Sequence, residues 1–335
     1  MTPAGEKNVR WDGIEGQERS TGILSGLLSV DRIPHAMVFS GPPGVGKRTA
    51  AMRLAQALVC RGGSPRPCFE CEPCRRVLRD TFPDVIRIEI PDDKKNIPID
   101  MIREVEEIIA FRPFSGDVRV IIIDPADMMS ASAQAAILKT LEEPPTGTHF
   151  ILVTSRFFAL PATIASRCQR VRFNPLPSDV VARIAGESSA ESPVVALSRG
   201  SLSRAIALKE GGLISIRDMV VGELARMEYD DPEGIDLLAE KLSKFKVEIF
   251  DILDILMNWY RDLIVYHEIE AVGELTDSGL WHEHKGAWSR TATTSLMRCT
   301  ELIREAQRAR LINNADVRIM VSSLLMTLTE LKYNR

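Results

Sequence analysis

The residues with the most chemistry to offer fall in two stretches, Gly41-Pro-Pro-Gly44-Val-Gly46-Lys47-Arg48-Thr49 and Val120-Ile-Ile-Ile-Asp124-Pro125-Ala-Asp127. The first has the form G-x-x-x-x-G-K. Its glycines let backbone amides turn towards a phosphate, and a following helix adds the positive end of its dipole. Lys47 is placed for the β and γ phosphates of a nucleotide. A magnesium-binding hydroxyl normally comes directly after that lysine. Here Arg48 holds the place and Thr49 stands one residue late, so a fixed cation weakens Mg²⁺-nucleotide binding. In the second stretch Asp124 has the strand-end position of a Mg²⁺ ligand. Pro125 follows it, where hydrolysis needs a carboxylate to polarise the attacking water. Asp127 is expected to point elsewhere. The pair of stretches predicts a phosphate loop without its own hydrolytic chemistry, and the residues leave ATP and Mg²⁺ binding open.

A second constellation is Cys60-x7-Cys68-x2-Cys71-x2-Cys74. Four thiolates suit a tetrahedral Zn²⁺ ion, and overlapping C-x-x-C steps supply the tight turns. An iron–sulfur cluster is the alternative for four cysteines, though no redox chemistry is signalled nearby. Cys168 and Cys299 stand alone. Arg61, Arg66, Arg75, Arg76 and Arg79 flank the cluster and read first as a solvated face.

The elements that position these groups follow from apolar periodicity. Residues 20–31 predict a helix, 36–40 a buried strand and 47–60 a helix, so the glycine loop lies between strand and helix as a phosphate loop must. Residues 84–90 alternate like a strand. Ile102, Val105, Ile108 and Ile109 share a helix face. The β-branched run 118–124 and the run 149–154 read as strands buried on both faces. Ser130 caps a helix that ends before Pro144-Pro145. Strands alternating with helices predict an α/β domain with a parallel sheet. After Pro177 no strong strand signal follows. Residues 178–210 predict short helices broken by Gly186 and Gly200, and the chain is helical from about 214. A stripe of Phe250, Leu253, Met257, Tyr260 and Ile264 marks one helix, 316–333 marks the last, and 271–290 reads as a loop.

The 335 residues are 45% hydrophobic and 26% charged, an ordinary globular balance with room for roughly two or three domains. A net charge of −4 excludes coating nucleic acid by bulk charge and leaves a local basic face open. There is no internal repeat, no apolar run of membrane-spanning length and no signal core, so a cytoplasmic location with no membrane partner is expected.

Gly16-Gln17, His35-Ala36, the phosphate loop, the four cysteines, Leu141-Glu142-Glu143-Pro144-Pro145 and Ser166-Arg167-Cys168 occur in that order. Together they resemble the bacterial clamp-loader subunits of DNA polymerase III, strongly over residues ~10–175 and weakly beyond, where Ile303-Arg-Glu-Ala306 and Asn313-Asn314 through Leu328 look like collar helices. The resemblance implies an AAA+ P-loop domain (1–175) with a zinc-binding insertion (60–74), a helical lid (176–213) and an all-α collar for oligomerisation (214–335). Of the two subfamilies, the motor gamma/tau subunit has an intact phosphate loop and strand end. Arg48 and Pro125 make this chain look like the delta-prime stator, with a gamma/tau-type ATPase as the alternative. The resemblance implies a hetero-pentameric ring with gamma/tau and delta subunits, acting on a sliding clamp and primed DNA within the polymerase holoenzyme. The chain itself would have no ATPase or polymerase activity. Arg167 matches the family's arginine finger, which acts in trans on a neighbour's ATP. Thr154 or Ser155 falls at sensor 1, and Ser203 or Arg204 at sensor 2. The family favours zinc at Cys60, Cys68, Cys71 and Cys74, although the first cysteine gap is one residue shorter than the family's.

Overall fold

The computed structural model describes residues 9–333 apart from 191, 211, 229–230, 245–248, 271–274, 276–277 and 314–315. The chain divides into two compact units, Met1–Val180 and Val181–Arg335.

The first unit is built on β1 (Ala36–Ser40), β2 (Val85–Ile88), β3 (Arg119–Ile123), β4 (Thr148–Thr154) and β5 (Gln169–Arg172). All neighbours are parallel, in the order β2-β3-β4-β1-β5. Around the sheet lie α1 (Glu18–Ser29), α2 (Lys47–Val59), α3 (Glu72–Leu78), α4 (Ile99–Ile109), α5 (Ala131–Glu142) and α6 (Ala162–Ala165). The continuous β-branched run of β3 is explained by burial on both faces. Ile121 and Ile123 join Ile102, Val105 and Ile109 of α4 and Ile137 and Leu141 of α5 in one core. Val120 and Ile122 alternate to the other face and are equally buried there, where α2 packs. Ser130 caps α5 as expected, its Oγ accepting from the Ala133 amide at 3.2 Å.

One expectation for this unit is corrected: Ile108 is 42% exposed and does not join the buried face of α4. β5 carries no apolar run that the sequence could show, because Gln169-Arg-Val-Arg172 buries Val171 alone.

The second unit is helical. Its elements are α7 (Ser178–Ala185, which spans the division), α8 (Pro193–Ser198), α9 (Leu202–Glu210), α10 (Leu213–Arg226), α11 (Pro232–Lys244), α12 (Ile249–Ile269), α13 (Ser278–His284), α14 (Thr293–Asn313) and α15 (Val317–Tyr333). Gly186 and Gly200 follow α7 and α8, as the sequence predicts. Val321, Leu324, Leu325 and Leu328 form the buried face of α15. Lys332 is buried and its ammonium donates to the Leu224, Ala225 and Met227 carbonyls at 2.8–3.0 Å. It thereby satisfies acceptors that the end of α10 leaves open.

The expected loop at 271–290 is a correction, with residues 271–274 and 276–277 outside the described residues. Its later part forms α13 and a 3-10 turn, Lys285–Trp288. Trp281 and Trp288 anchor it at 1% and 0% exposure. Trp288 meets Trp259 edge-on at 5.2 Å, and Trp281 lies 4.1 Å from Tyr266. Two large aromatic anchors outweigh the polar residues between them. The stripe expected on α12 is also broader than predicted. Ile252, Leu256 and Trp259 are buried with Leu253 and Tyr260, whereas Phe250, Met257 and Ile264 are half-buried. Residues 246–248 and Asn314 lie outside the described residues.

Candidate functional site: an altered phosphate loop and a four-cysteine cluster

The phosphate loop joins the end of β1 to the start of α2. Gly44 and Gly46 have φ of +68° and +91°, left-handed backbone that favours glycine. Lys47, 6% exposed, turns back on the loop. Its Nζ donates to the Gly41 carbonyl at 2.7 Å, to the Pro42 carbonyl and to Ser155 Oγ at 3.2 Å. Burial pushes its pKa down to about 8, against the pull of Asp124 and Asp127. Ser155 is therefore the hydroxyl that faces the loop lysine. Thr154 Oγ1 instead donates to Asp127 at 2.7 Å, and Arg156 Nε donates to the other Asp127 oxygen at 2.8 Å. Asp127 is held by this pair of partners, yet it remains near enough to act on Lys47 and Asp124.

Arg48 occupies the ion's side of the loop. Its guanidinium is ion-paired with Glu89 and its Nε lies 3.9 Å from Asp124 Oδ2. Arg87 Nε approaches the same Glu89 oxygen at 3.5 Å. Thr49 is ~100° further round α2 than Arg48 and does not take its place. Burial raises the Asp124 carboxyl above its ordinary value, while Arg48 and Lys47 lower it. Magnesium asks for near-octahedral oxygen ligands. A guanidinium between two carboxylates, with no hydroxyl beside the lysine, does not fit that ion. Glu89 was missed in the sequence because its relation to Asp124 depends on β2 lying beside β3, with Ile88 paired to Ile123.

Arg167 belongs to a different place. It follows α6, where Nη1 donates to the Thr163 carbonyl at 2.8 Å and Nη2 to the Glu142 carboxylate at the end of α5. Its side chain keeps 33% of its surface exposed. In the second unit Arg204 is engaged, its Nη1 2.7 Å from Asp254 of α12.

The four cysteines converge. Cys60 follows α2, Cys71 caps α3 and Cys74 lies within it. Their sulfurs lie within 4.8 Å of one another, with Cys68–Cys74 and Cys60–Cys71 both at 4.0 Å. A tetrahedral Zn–S length of ~2.3 Å places sulfurs about 3.8 Å apart, so the donor set fits such an ion. The Cys71 amide, donating to Cys68 Sγ at 3.3 Å, pulls that thiol down to about 6. A side chain at Gly62 would bring Cβ 2.6 Å from Cys68 Sγ. The cluster is thus able to hold a metal ion.

A loop after β1, an acid at the end of β3 and the strand order 5-1-4-3-2 define the first unit as an AAA+ P-loop domain. Residues 16–177 match the family described as DNA polymerase III, delta subunit. The DNA polymerase III subunit tau of Bacillus subtilis is 29% identical over 286 residues, 77% of this chain and 50% of that protein. The subunit gamma of Buchnera aphidicola is 32% identical over 236 residues, covering 66% and 63%. The Escherichia coli subunit tau is 33% identical over 213 residues, covering 60% and 33%. The chain thus spans 33–63% of these relatives' own length. A gamma subunit-related protein of Thermotoga maritima, 19% identical and covering 92% of this chain and 99% of that one, is a looser likeness with a TM-score of 0.45. Over its α/β unit the chain is thus similar to DNA polymerase III subunits of the delta, tau and gamma kinds.

Proposed function

We propose that this chain is the stator of a clamp loader, the delta-prime subunit. It would form a hetero-pentameric ring with gamma/tau and delta subunits and help place a sliding clamp on primed DNA in the cytoplasm. The observation that carries this reading is the paired loss at its own loop. Arg48 lies against Asp124, and Pro125 offers no base. General-base catalysis typically contributes ~10²–10⁴-fold, so its loss alone disables turnover. Residues 1–175 serve as the AAA+ domain, 176–213 as a lid and 214–335 as the collar that joins the ring. Cys60, Cys68, Cys71 and Cys74 hold a structural zinc ion that staples the insertion. Contact with DNA is made through the backbone, shared among subunits and sensitive to salt.

Arg167 supplies what the chain's own site lacks. The partly exposed guanidinium is held through its terminal nitrogens by Thr163 and Glu142; exchanging them for a neighbour's ATP would let it stabilise charge on the transferring phosphoryl, a contribution worth ~10³–10⁵ in rate. The second reading, a gamma/tau-type ATPase, is favoured by the relatives, which are tau and gamma subunits. Steady-state ATP hydrolysis separates the two. The stator reading expects none above background from the isolated chain and a stable complex on mixing with motor and delta subunits. Hydrolysis by the isolated chain that is lost in Lys47→Ala supports the ATPase instead.

A further inference from the structure

The phosphate loop has most of what binds a polyphosphate and lacks what holds its metal. Gly44 and Gly46 have the left-handed backbone that lets loop amides turn towards an anion. Thirteen residues of helix follow, with no acidic residue in the first turn, and Lys47 sits at its start. The ion's side is different, because the residue after the lysine contributes a guanidinium where a hydroxyl would be. That guanidinium lies between Glu89 and Asp124, two carboxylates that an ion would otherwise draw on.

We propose that this loop binds the polyphosphate of a nucleotide without a divalent cation, with the Arg48 guanidinium taking the ion's part. Two features support this. The guanidinium is planar and presents paired N–H donors that match phosphate oxygens bidentately, so it supplies both charge and geometry. Its side chain is also half-exposed, with 50% of its surface accessible, and it remains within reach of an arriving phosphate. Lys47, Arg48 and Arg87 balance Glu89, Asp124 and Asp127 around the loop, and Arg48 already stands where a Mg²⁺ ion would bring its charge. Binding without turnover follows, because nothing at Pro125 can activate water. The nucleotide would then be a lasting structural ligand. This inference does not rest on the clamp-loader reading, since a chain that binds no nucleotide can still assemble into a ring.

The test uses the full chain and ATP as the probe, with binding measured by titration calorimetry in EDTA and in Mg²⁺. The expected result is binding in EDTA that Mg²⁺ changes by less than roughly tenfold. Arg48→Thr, which restores a hydroxyl after the lysine, should weaken EDTA binding by roughly tenfold or more and regain affinity with Mg²⁺. Arg48→Lys keeps a point charge without the fork and should fall between the two in EDTA, which covers the case of Arg48→Thr failing to fold. ATP binding that requires Mg²⁺ in the native chain would overturn the proposal. So would no binding under either condition, or native-like EDTA binding by Arg48→Thr. Assembly with motor and delta subunits, scored separately, reports on the stator reading alone.

Discussion

Arg48 Nε lies 3.9 Å from Asp124 Oδ2, so the residue that should help hold a metal ion instead meets the acid that should help hold it too. The relationship removes the ordinary duty of Asp124. Asp124→Asn is therefore expected to leave the ATPase rate of a reconstituted ring unchanged. Steady-state hydrolysis checks this, because the same change in a metal-dependent motor site would stop turnover at that site.

The cysteine cluster should carry one zinc ion per chain by elemental analysis. Alkylation of the native protein should be slow at neutral pH, since metal protects four thiols and burial pushes Cys168 up to about 11 and Cys299 up to about 12. Chelation should open the four cluster cysteines to alkylation, Cys68 first and the buried Cys60 and Cys74 last, counted by mass spectrometry, and lower the melting temperature. Gly62→Ala should weaken metal retention, because its Cβ would collide with Cys68. A folded protein free of metal would refute the assignment.

A buried ion pair holds the turn after α4. Asp84 and Arg119 are 1% and 3% exposed and 3.3 Å apart. Asp84 accepts the Phe114 and Ser115 amides at 2.7 and 2.6 Å, while Arg119 donates to the Ile108, Phe111 and Arg112 carbonyls at 2.8–3.1 Å. Asp84→Ala or Arg119→Met leaves the partner charge buried, and each should cost about 3–5 kcal/mol in denaturant unfolding. A cost near zero would show that the network is open to water.

Thr154→Val should lower stability by about 1–3 kcal/mol. It removes the hydroxyl that satisfies Asp127, a carboxylate whose side chain is 4% exposed. Ser155→Ala should cost little stability, because Lys47 keeps the Gly41 and Pro42 carbonyls.

The α/β unit was legible because glycines and β-branched runs report local geometry. Gly44 and Gly46 need left-handed backbone, and Val120 to Ile123 need burial on both faces. What depends on tertiary neighbours was not legible. Glu89 reads as one polar residue in an alternating strand until β2 is placed beside β3. Asp84 and Arg119 read as strand-edge charges, although they meet across 35 residues of sequence. Thr154 and Ser155 are interchangeable in composition and distinguished only by which side of the strand end each faces. Trp281 and Trp288 sit among polar residues, and the packing that makes them helix anchors comes from α12.

The most direct measurement is DNA-stimulated ATP hydrolysis by a complex reconstituted with motor and delta subunits, comparing native chain, Lys47→Ala and Arg167→Ala after confirming equal assembly. Loss of a trans-acting arginine should slow the one motor site that faces it by ~10³–10⁵-fold, so Arg167→Ala should show a marked drop while Lys47→Ala matches the native chain. A drop with Lys47→Ala and native rates with Arg167→Ala would contradict the stator reading.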